Sequence, residues 1–282
     1  MPYIKVRGVE HYYEWMKKSS DLVKPVMVFV HGWAGSSRYW RSTAEALLAE
    51  FDCLLYDMRG FGRSHAKPKQ EESAAIPELT YELEEYAEDL AALLDGLQLN
   101  SVYINAHSMG ASIATLFLNR YPQRVEKAIL TCSGIFEYDE KAFSAFYKFG
   151  GLVVKFRPKW LGKIPLADRI FMARFLHSPI PKSERQAFLQ DFIDADYDAA
   201  LGTIFTSVSK QQAEIMPEEF AKLTVPTLLV AGEYDIIIPA ELGKKAAALS
   251  EKVELALIPN TAHFPMLEDP ETYLQRVEEF LQ

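Results

Sequence analysis

A serine, an aspartate and a histidine, in that chain order, stand where they could carry out acyl transfer. Ser108 lies in "AHSMG" (Ala106 to Gly110), a small-x-Ser-x-Gly pattern. The small residues permit a turn sharp enough to expose the serine hydroxyl. Taken alone, the same residues could be an ordinary tight turn. A hydroxyl becomes a strong nucleophile only when a base takes its proton and an acid orients that base. "AGEYDIIIP" supplies Asp235 and "IPNTAHFPMLEDP" supplies His263, in the order Ser, Asp, His. If Asp235 instead caps the helix that follows at "PAELGKK", Glu137 or Asp139 is the replacement acid. A developing oxyanion needs two backbone N–H donors. Met109, directly after the serine, is one candidate. Trp33, in the glycine-bearing loop "FVHGWAGSS", is the other. This chemistry calls for no cofactor and no metal. His31 and His107 are expected to be structural, His107 pointing away from the serine. His11, His65 and His177 have no assigned partner.

These residues must sit on elements that bring them together. "PVMVFV", "DCLLYD", "SVYINA", "EKAILTC", "TLLVAG" and "VELALI" are short runs rich in Val, Ile and Leu, as suits strands buried on both faces of a parallel sheet. Helical patterns separate them. In "YELEEYAEDLAALLDGLQL", Leu83, Tyr86, Ala87, Leu90, Leu94 and Leu97 recur at three- and four-residue steps, with acidic residues on the other face. "ASIATLFLNRYP", "AELGKKAAAL" and "PETYLQRVEEFLQ" are further helices. The alternation predicts an α/β fold, a mostly parallel central sheet flanked by helices, with ligands at the carboxyl ends of the strands. Ser108, Asp235 and His263 each follow a predicted strand. From 137 to 222 there are helical patterns and no convincing strand, too long for a structureless loop. We therefore divide the chain into a first core part (1–136), an inserted helical cap (137–222) and a second core part (223–282). Ser64 to Thr80 reads as a polar surface loop.

The chain has 282 residues, 49% of them hydrophobic and 24% charged, the composition of a globular protein with a sizeable core. Its net charge of −9 argues against a nucleic-acid partner. Two cysteines, Cys53 and Cys132, both in apolar runs, fit a reducing compartment. No signal-peptide core is seen near the N-terminus, and no apolar run reaches about 18 residues. The expectation is a soluble, cytoplasmic protein.

From about Lys24 onward the chain resembles the α/β-hydrolase fold superfamily. "HGWAGSSRYW" is similar to that family's oxyanion loop and "YDMRGFGRS" to its next strand-loop signature. "AHSMGA" is similar to the nucleophile elbow, "GEYDIIIP" to the acid loop and "NTAHFPMLEDP" to the histidine loop. Ala106 and Asn260 stand where the family more often has glycine. The resemblance implies a Ser-His-Asp hydrolase. Serine at 108 disfavours the dehalogenase and epoxide hydrolase branches, which use aspartate there. Phe264 stands where C–C hydrolases often carry tryptophan. A carboxylic ester hydrolase (esterase, lipase or thioesterase) fits best. Alternatives are a cofactor-free perhydrolase, a C–C hydrolase, an acyltransferase, or a receptor of the same fold with little turnover.

The predicted cap bears on the substrate. Between Lys141 and Arg174 lie eight basic residues and one acidic residue, Asp168, a net +7. Interleaved are Phe143, Phe146, Tyr147, Phe149, Phe156, Trp160 and Phe171. Such a segment suits a lipid-like acyl chain or peripheral contact with an anionic membrane. Alternatively, the apolar residues pack on the core while the lysines are merely solvated.

Overall fold

The computed structural model describes residues 3–18, 23–68 and 79–282, with the side chains of residues 142, 146 and 149 left outside that description. Residues 69–78 of the expected surface loop, and the rings of Phe146 and Phe149, therefore lie outside the described set.

Eight strands form one sheet in the order β1-β2-β4-β3-β5-β6-β7-β8. They are β1 (Tyr3–Val6), β2 (Val9–Met16), β3 (Val26–Val30), β4 (Asp52–Tyr56), β5 (Val102–His107), β6 (Val125–Thr131), β7 (Thr227–Gly232) and β8 (Val253–Ile258). The six apolar runs picked out in the sequence are β3 to β8, and all pair in parallel. The antiparallel hairpin β1–β2 extends the edge through β2–β4 and was not among the strands predicted. Arg7 and Gly8 make its turn with φ of 47° and 87°, left-handed backbone that favours tight hairpins.

Helices α1 (Arg41–Ala46), α2 (Leu83–Gly96) and α3 (Met109–Arg120) alternate with these strands. α4 (Glu140–Lys155), α5 (Ala167–Met172), α6 (Lys182–Asp194), α7 (Tyr197–Ser207) and α8 (Lys210–Ala221) fill the chain between β6 and β7. α9 (Ala240–Ala247), α10 (Pro265–Glu268) and α11 (Pro270–Leu281) complete it. Strand side chains alternate between faces. Val28, Val30, Leu54 and Ile104 pack with Leu83, Tyr86, Leu90 and Leu94 of α2. Met27, Phe29, Cys53 and Leu55 pack on the opposite face with Tyr273 and Val277 of α11. Burial on both faces explains why these strands read as continuous apolar runs. Among the described residues, no helix is long and apolar enough to cross a membrane.

After β3 the chain steps to one side of that strand (β4) and then to the other (β5). Such a reversal opens a crevice at the carboxyl ends of the strands. Buried charges hold the loops there. Asp57, following β4, accepts the Ser37 N–H at 2.8 Å and the Ser37 hydroxyl at 2.7 Å. Arg63 Nε donates to its other oxygen at 2.7 Å. Burial alone would raise the Asp57 pKa, but the Arg63 hydrogen bond and the surrounding charges outweigh it and hold the carboxyl below its usual range.

Asp191 of α6 is a second buried carboxylate. It accepts the Ser36 hydroxyl at 2.6 Å and pairs with Arg38 at 2.9 Å. Burial pushes its pKa up to about 6, against the pull of Ser36 and Arg38. The folded state therefore holds this proton more tightly than the unfolded chain, where aspartate titrates at 3.8. The resulting stabilisation is present below the unfolded value and lost as pH rises through the folded one. Between about pH 4 and 7, wild type should lose on the order of 1–3 kcal/mol relative to Asp191→Asn. Urea unfolding of both proteins across that range measures it, and a difference independent of pH would refute it.

Candidate active site

The strand β5 ends at His107 and the helix α3 begins at Met109, leaving Ser108 alone at the turn with φ 54° and ψ −124°. Its N–H donates to Thr131 O at 2.9 Å. Close backbone approach requires glycine nearby. A Cβ on Gly110 would lie 2.3 Å from His31 O, and one on Gly32 would lie 3.2 Å from Ser108 Cβ. The β3 loop thus packs directly on the elbow. Ala106, the departure from the commoner glycine, is fully buried in β5. Asn260, the other departure, has φ 56°, a conformation asparagine tolerates better than most residues.

Asp235 lies three residues beyond β7, and His263 five beyond β8. His263 Nδ1 is 2.7 Å from Asp235 Oδ2, and His263 Nε2 is 3.0 Å from Ser108 Oγ. A carboxylate can only accept, so Nδ1 carries the hydrogen and Nε2 is left to accept from the serine. Asp235 Oδ1 also accepts the N–H groups of Ile237 and Ile238, at 2.8 and 3.1 Å, which fixes the carboxylate. Helix α9 has Pro239 at its N-cap, so Asp235 does not cap it. Glu137 lies away, paired with Lys245 at 2.8 Å.

Of the expected oxyanion donors, Met109 opens α3, where an N–H has no acceptor within its helix. Trp33 follows Gly32 on the loop against the elbow, and its indole donates to Ala200 O of α7 at 2.9 Å.

The other histidines are accounted for. His31 donates from Nδ1 to Gly32 O at 2.8 Å and accepts the Met58 N–H on Nε2 at 2.8 Å. Burial lowers its pKa. His11 bonds Val9 O at 3.1 Å, His65 lies 3.8 Å from Glu10, and His177 stacks on Tyr234.

His107 does more than sequence reasoning gave it. The Gly32 N–H donates to the Tyr39 hydroxyl at 2.6 Å, so that hydroxyl donates onward to His107 Nδ1 at 3.0 Å. His107 Nε2–H then donates to His263 O at 2.7 Å. One neutral imidazole thus links the Trp33 loop to the His263 main chain. Burial first, and the neighbouring His263 second, hold the His107 pKa well below the usual histidine range.

Glu268 was also missed. One carboxylate oxygen accepts the N–H of Ala262 and of Phe264, at 2.9 and 3.2 Å, on either side of His263. The other accepts those of His177 and Ser178, at 2.7 and 2.8 Å. His263 N–H donates to Phe175 O at 3.0 Å. The only sequence signal is an acid in the first turn of a helix opened by proline.

His107, Cys132 and His263 are the one grouping of potential metal ligands among the described residues. All four ring nitrogens are already hydrogen-bonded within the protein, so the donor set does not fit a metal. Burial, then the charge of Asp235, raises the Cys132 pKa well above the thiol range. Burial pushes Cys53 up to about 12.

Two outcomes follow from this geometry. Glu268→Ala strands four backbone N–H groups. It should cost about 2–4 kcal/mol of stability and, by loosening His263, lower turnover about 10- to 100-fold. Urea unfolding and steady-state kinetics measure these, and a stable variant of wild-type activity would refute the assignment. Both thiols should also resist alkylation in the native protein near pH 8 and react only on unfolding. Mass spectrometry after iodoacetamide treatment decides it, and rapid native labelling at Cys132 would contradict the burial argument.

The pattern that defines the alpha/beta hydrolase fold matches residues 25–270. The uncharacterized hydrolase YugF of Bacillus subtilis is 25% identical over 280 residues, covering 98% of this chain and 96% of its own. The pimeloyl-[acyl-carrier protein] methyl ester esterase of Nitrosospira multiformis is 26% identical over 272 residues, covering 91% and 94%. The esterase EaEST from Exiguobacterium antarcticum superposes with a TM-score of 0.80 at 19% identity, covering 99% and 98%, a likeness of fold. The chain belongs to the alpha/beta hydrolase fold family.

Proposed function

We propose that this protein is a serine hydrolase acting on carboxylic esters through Ser108, His263 and Asp235. The observation that carries the reading is the continuous hydrogen-bond line from Ser108 Oγ through the imidazole to Asp235, at 3.0 and 2.7 Å. In this reading His263 Nε2 takes the serine proton as Oγ attacks the ester carbonyl. The N–H groups of Trp33 and Met109 receive the oxyanion. His263 then protonates the leaving alcohol, and an acyl-enzyme remains. Water, deprotonated by the same imidazole, releases the acid. Asp235 holds the tautomer and stabilises the imidazolium. The esterase relative from Nitrosospira multiformis supports an ester substrate. Two buried free thiols are in keeping with a reducing compartment such as the cytoplasm.

We read residues 137–222 as a cap over the site, since Trp33, Ser36 and His263 all bond to it. One turn along α3 from the nucleophile, Ser112 lines a narrow space with Gly134, Phe143, Val208, Gln212 and Met216. Its volume is about 10 Å³, room for one water. An acyl chain at this point would have to widen the space between α4 and α8.

Hydrolysis of p-nitrophenyl esters from acetyl to palmitoyl, with Ser108→Ala alongside, tests the reading. Wild type should turn over, and the variant should lose about 10⁶-fold in kcat. A rise in kcat/KM with acyl length would support an apolar substrate, and an optimum at acetyl would remove it. Hydrolysis that survives in Ser108→Ala, or none in wild type at any length, would overturn the ester assignment.

A further inference from the structure

The basic segment divides its apolar residues between two destinations. Phe143 is buried at 7% exposure, and Phe171 packs against Phe192. Leu152, Phe156, Trp160, Ile164, Leu166 and Ile170 do the opposite, standing 42–75% exposed. Leu152 and Phe156 are joined by the backbone bond from Phe156 N–H to Leu152 O, one helical turn apart. Leu166 and Ile170 are joined in the same way at α5. Between these pairs the 3-10 turn Lys159–Lys163 carries Trp160, whose ring meets that of Phe156 edge-on at 6.3 Å. Exposed Lys155, Lys159, Lys163 and Arg169 are interleaved with them. None of these four has a carboxylate partner among the described residues. Asp168, the only acid in this stretch, is buried and paired with Arg185.

We propose that this face, residues 152–170, docks on an anionic lipid bilayer. Exposed apolar side chains interleaved along the chain with cations that pair with no described carboxylate match a membrane interface, where the chains enter the acyl boundary and the cations meet lipid phosphates. The charge distribution selects the orientation. Lys141 to Arg174 carries +7 in a chain of −9, so the rest of the chain carries −16 and is on balance repelled by such a surface. A purely electrostatic protein partner would not explain six large apolar side chains left in water. Docking is independent of the ester chemistry and brings the last turn of α4, the helix that carries Phe143 beside the proposed substrate space, to the lipid.

Flotation with vesicles tests it, using full-length Ser108→Ala so that hydrolysis plays no part. Phosphatidylcholine vesicles with roughly 30% phosphatidylserine should bind the protein, and pure phosphatidylcholine should not. Binding should weaken as salt rises from about 0.1 to about 0.5 M. Lys155→Gln, Lys159→Gln and Lys163→Gln together should weaken binding about a hundredfold. Phe156→Ser with Trp160→Ser should abolish it. Both sets, made in the Ser108 background, should leave soluble p-nitrophenyl acetate hydrolysis unchanged. Because all these positions are exposed, circular dichroism should report intact folds. No phosphatidylserine-dependent binding would overturn the proposal. So would binding that the lysine changes abolish while the Phe156 and Trp160 changes leave it intact, the mark of electrostatic adsorption without insertion of the apolar side chains.

Discussion

The left-handed backbone at Ser108 is the constraint around which the rest of the site is arranged. A serine at φ 54° and ψ −124° sits in a sparsely populated region, at a cost of about 1–3 kcal/mol. The structure offsets that cost locally, with the Ser108 N–H on Thr131 O and the start of α3 against the end of β3. That second contact dictates Gly110, because any side chain would strike His31 O. In return, the hydroxyl leaves the plane of its own chain and faces the loop after β8. Sheet order then makes the meeting inevitable. β5, β6, β7 and β8 lie side by side in parallel, so everything following their carboxyl ends shares one edge.

Around the elbow lie three buried histidines, and their surroundings give them different parts. His31 and His107 each bond to protein groups on both nitrogens, and burial keeps both neutral. Neither has a carboxylate within hydrogen-bond distance among the described residues. His263 has Asp235 on one nitrogen and Ser108 on the other. A cation forming on His107 would have no carboxylate partner among the described residues, while one forming on His263 would find one at 2.7 Å. The histidine next to the serine in sequence therefore lacks the contacts of a base, whereas the one 155 positions away has a hydroxyl on one nitrogen and a carboxylate on the other.

Most of the architecture was legible because burial leaves a compositional trace. Strands covered on both faces must be apolar throughout, and β3 to β8 stand out for that reason. β2 was harder to see: beyond His11 its side chains are half-buried, so polar and aromatic residues alternate without an apolar run. Ser108, Asp235 and His263 were readable because each is placed by a strand end. His107 and Glu268 were not, because what they hold is main chain. Any residue has an N–H and a carbonyl, so a partner of that kind leaves no mark in the sequence. The spread of exposure along 141–174 was hidden for a related reason. Phe143 and Phe156 are alike as residues, and only the packing of α4 to α8 decides that one is buried and the other 70% exposed.

The helices between β6 and β7 are hydrogen-bonded to the loops beside Ser108 and His263 as well as to more distant positions. Asp191 takes the Ser36 hydroxyl, Ala200 O the Trp33 indole and Phe175 O the His263 N–H. Glu268 then spans both sides, holding His177 and Ser178 with one oxygen and the flanks of His263 with the other. A displacement of α6 would be carried to Ser36, and one of the 175–178 segment to His263. The Gly32 loop and the His263 loop are also joined through Tyr39 and His107. A movement of these helices would therefore act on the Ser36 loop and on the His263 loop.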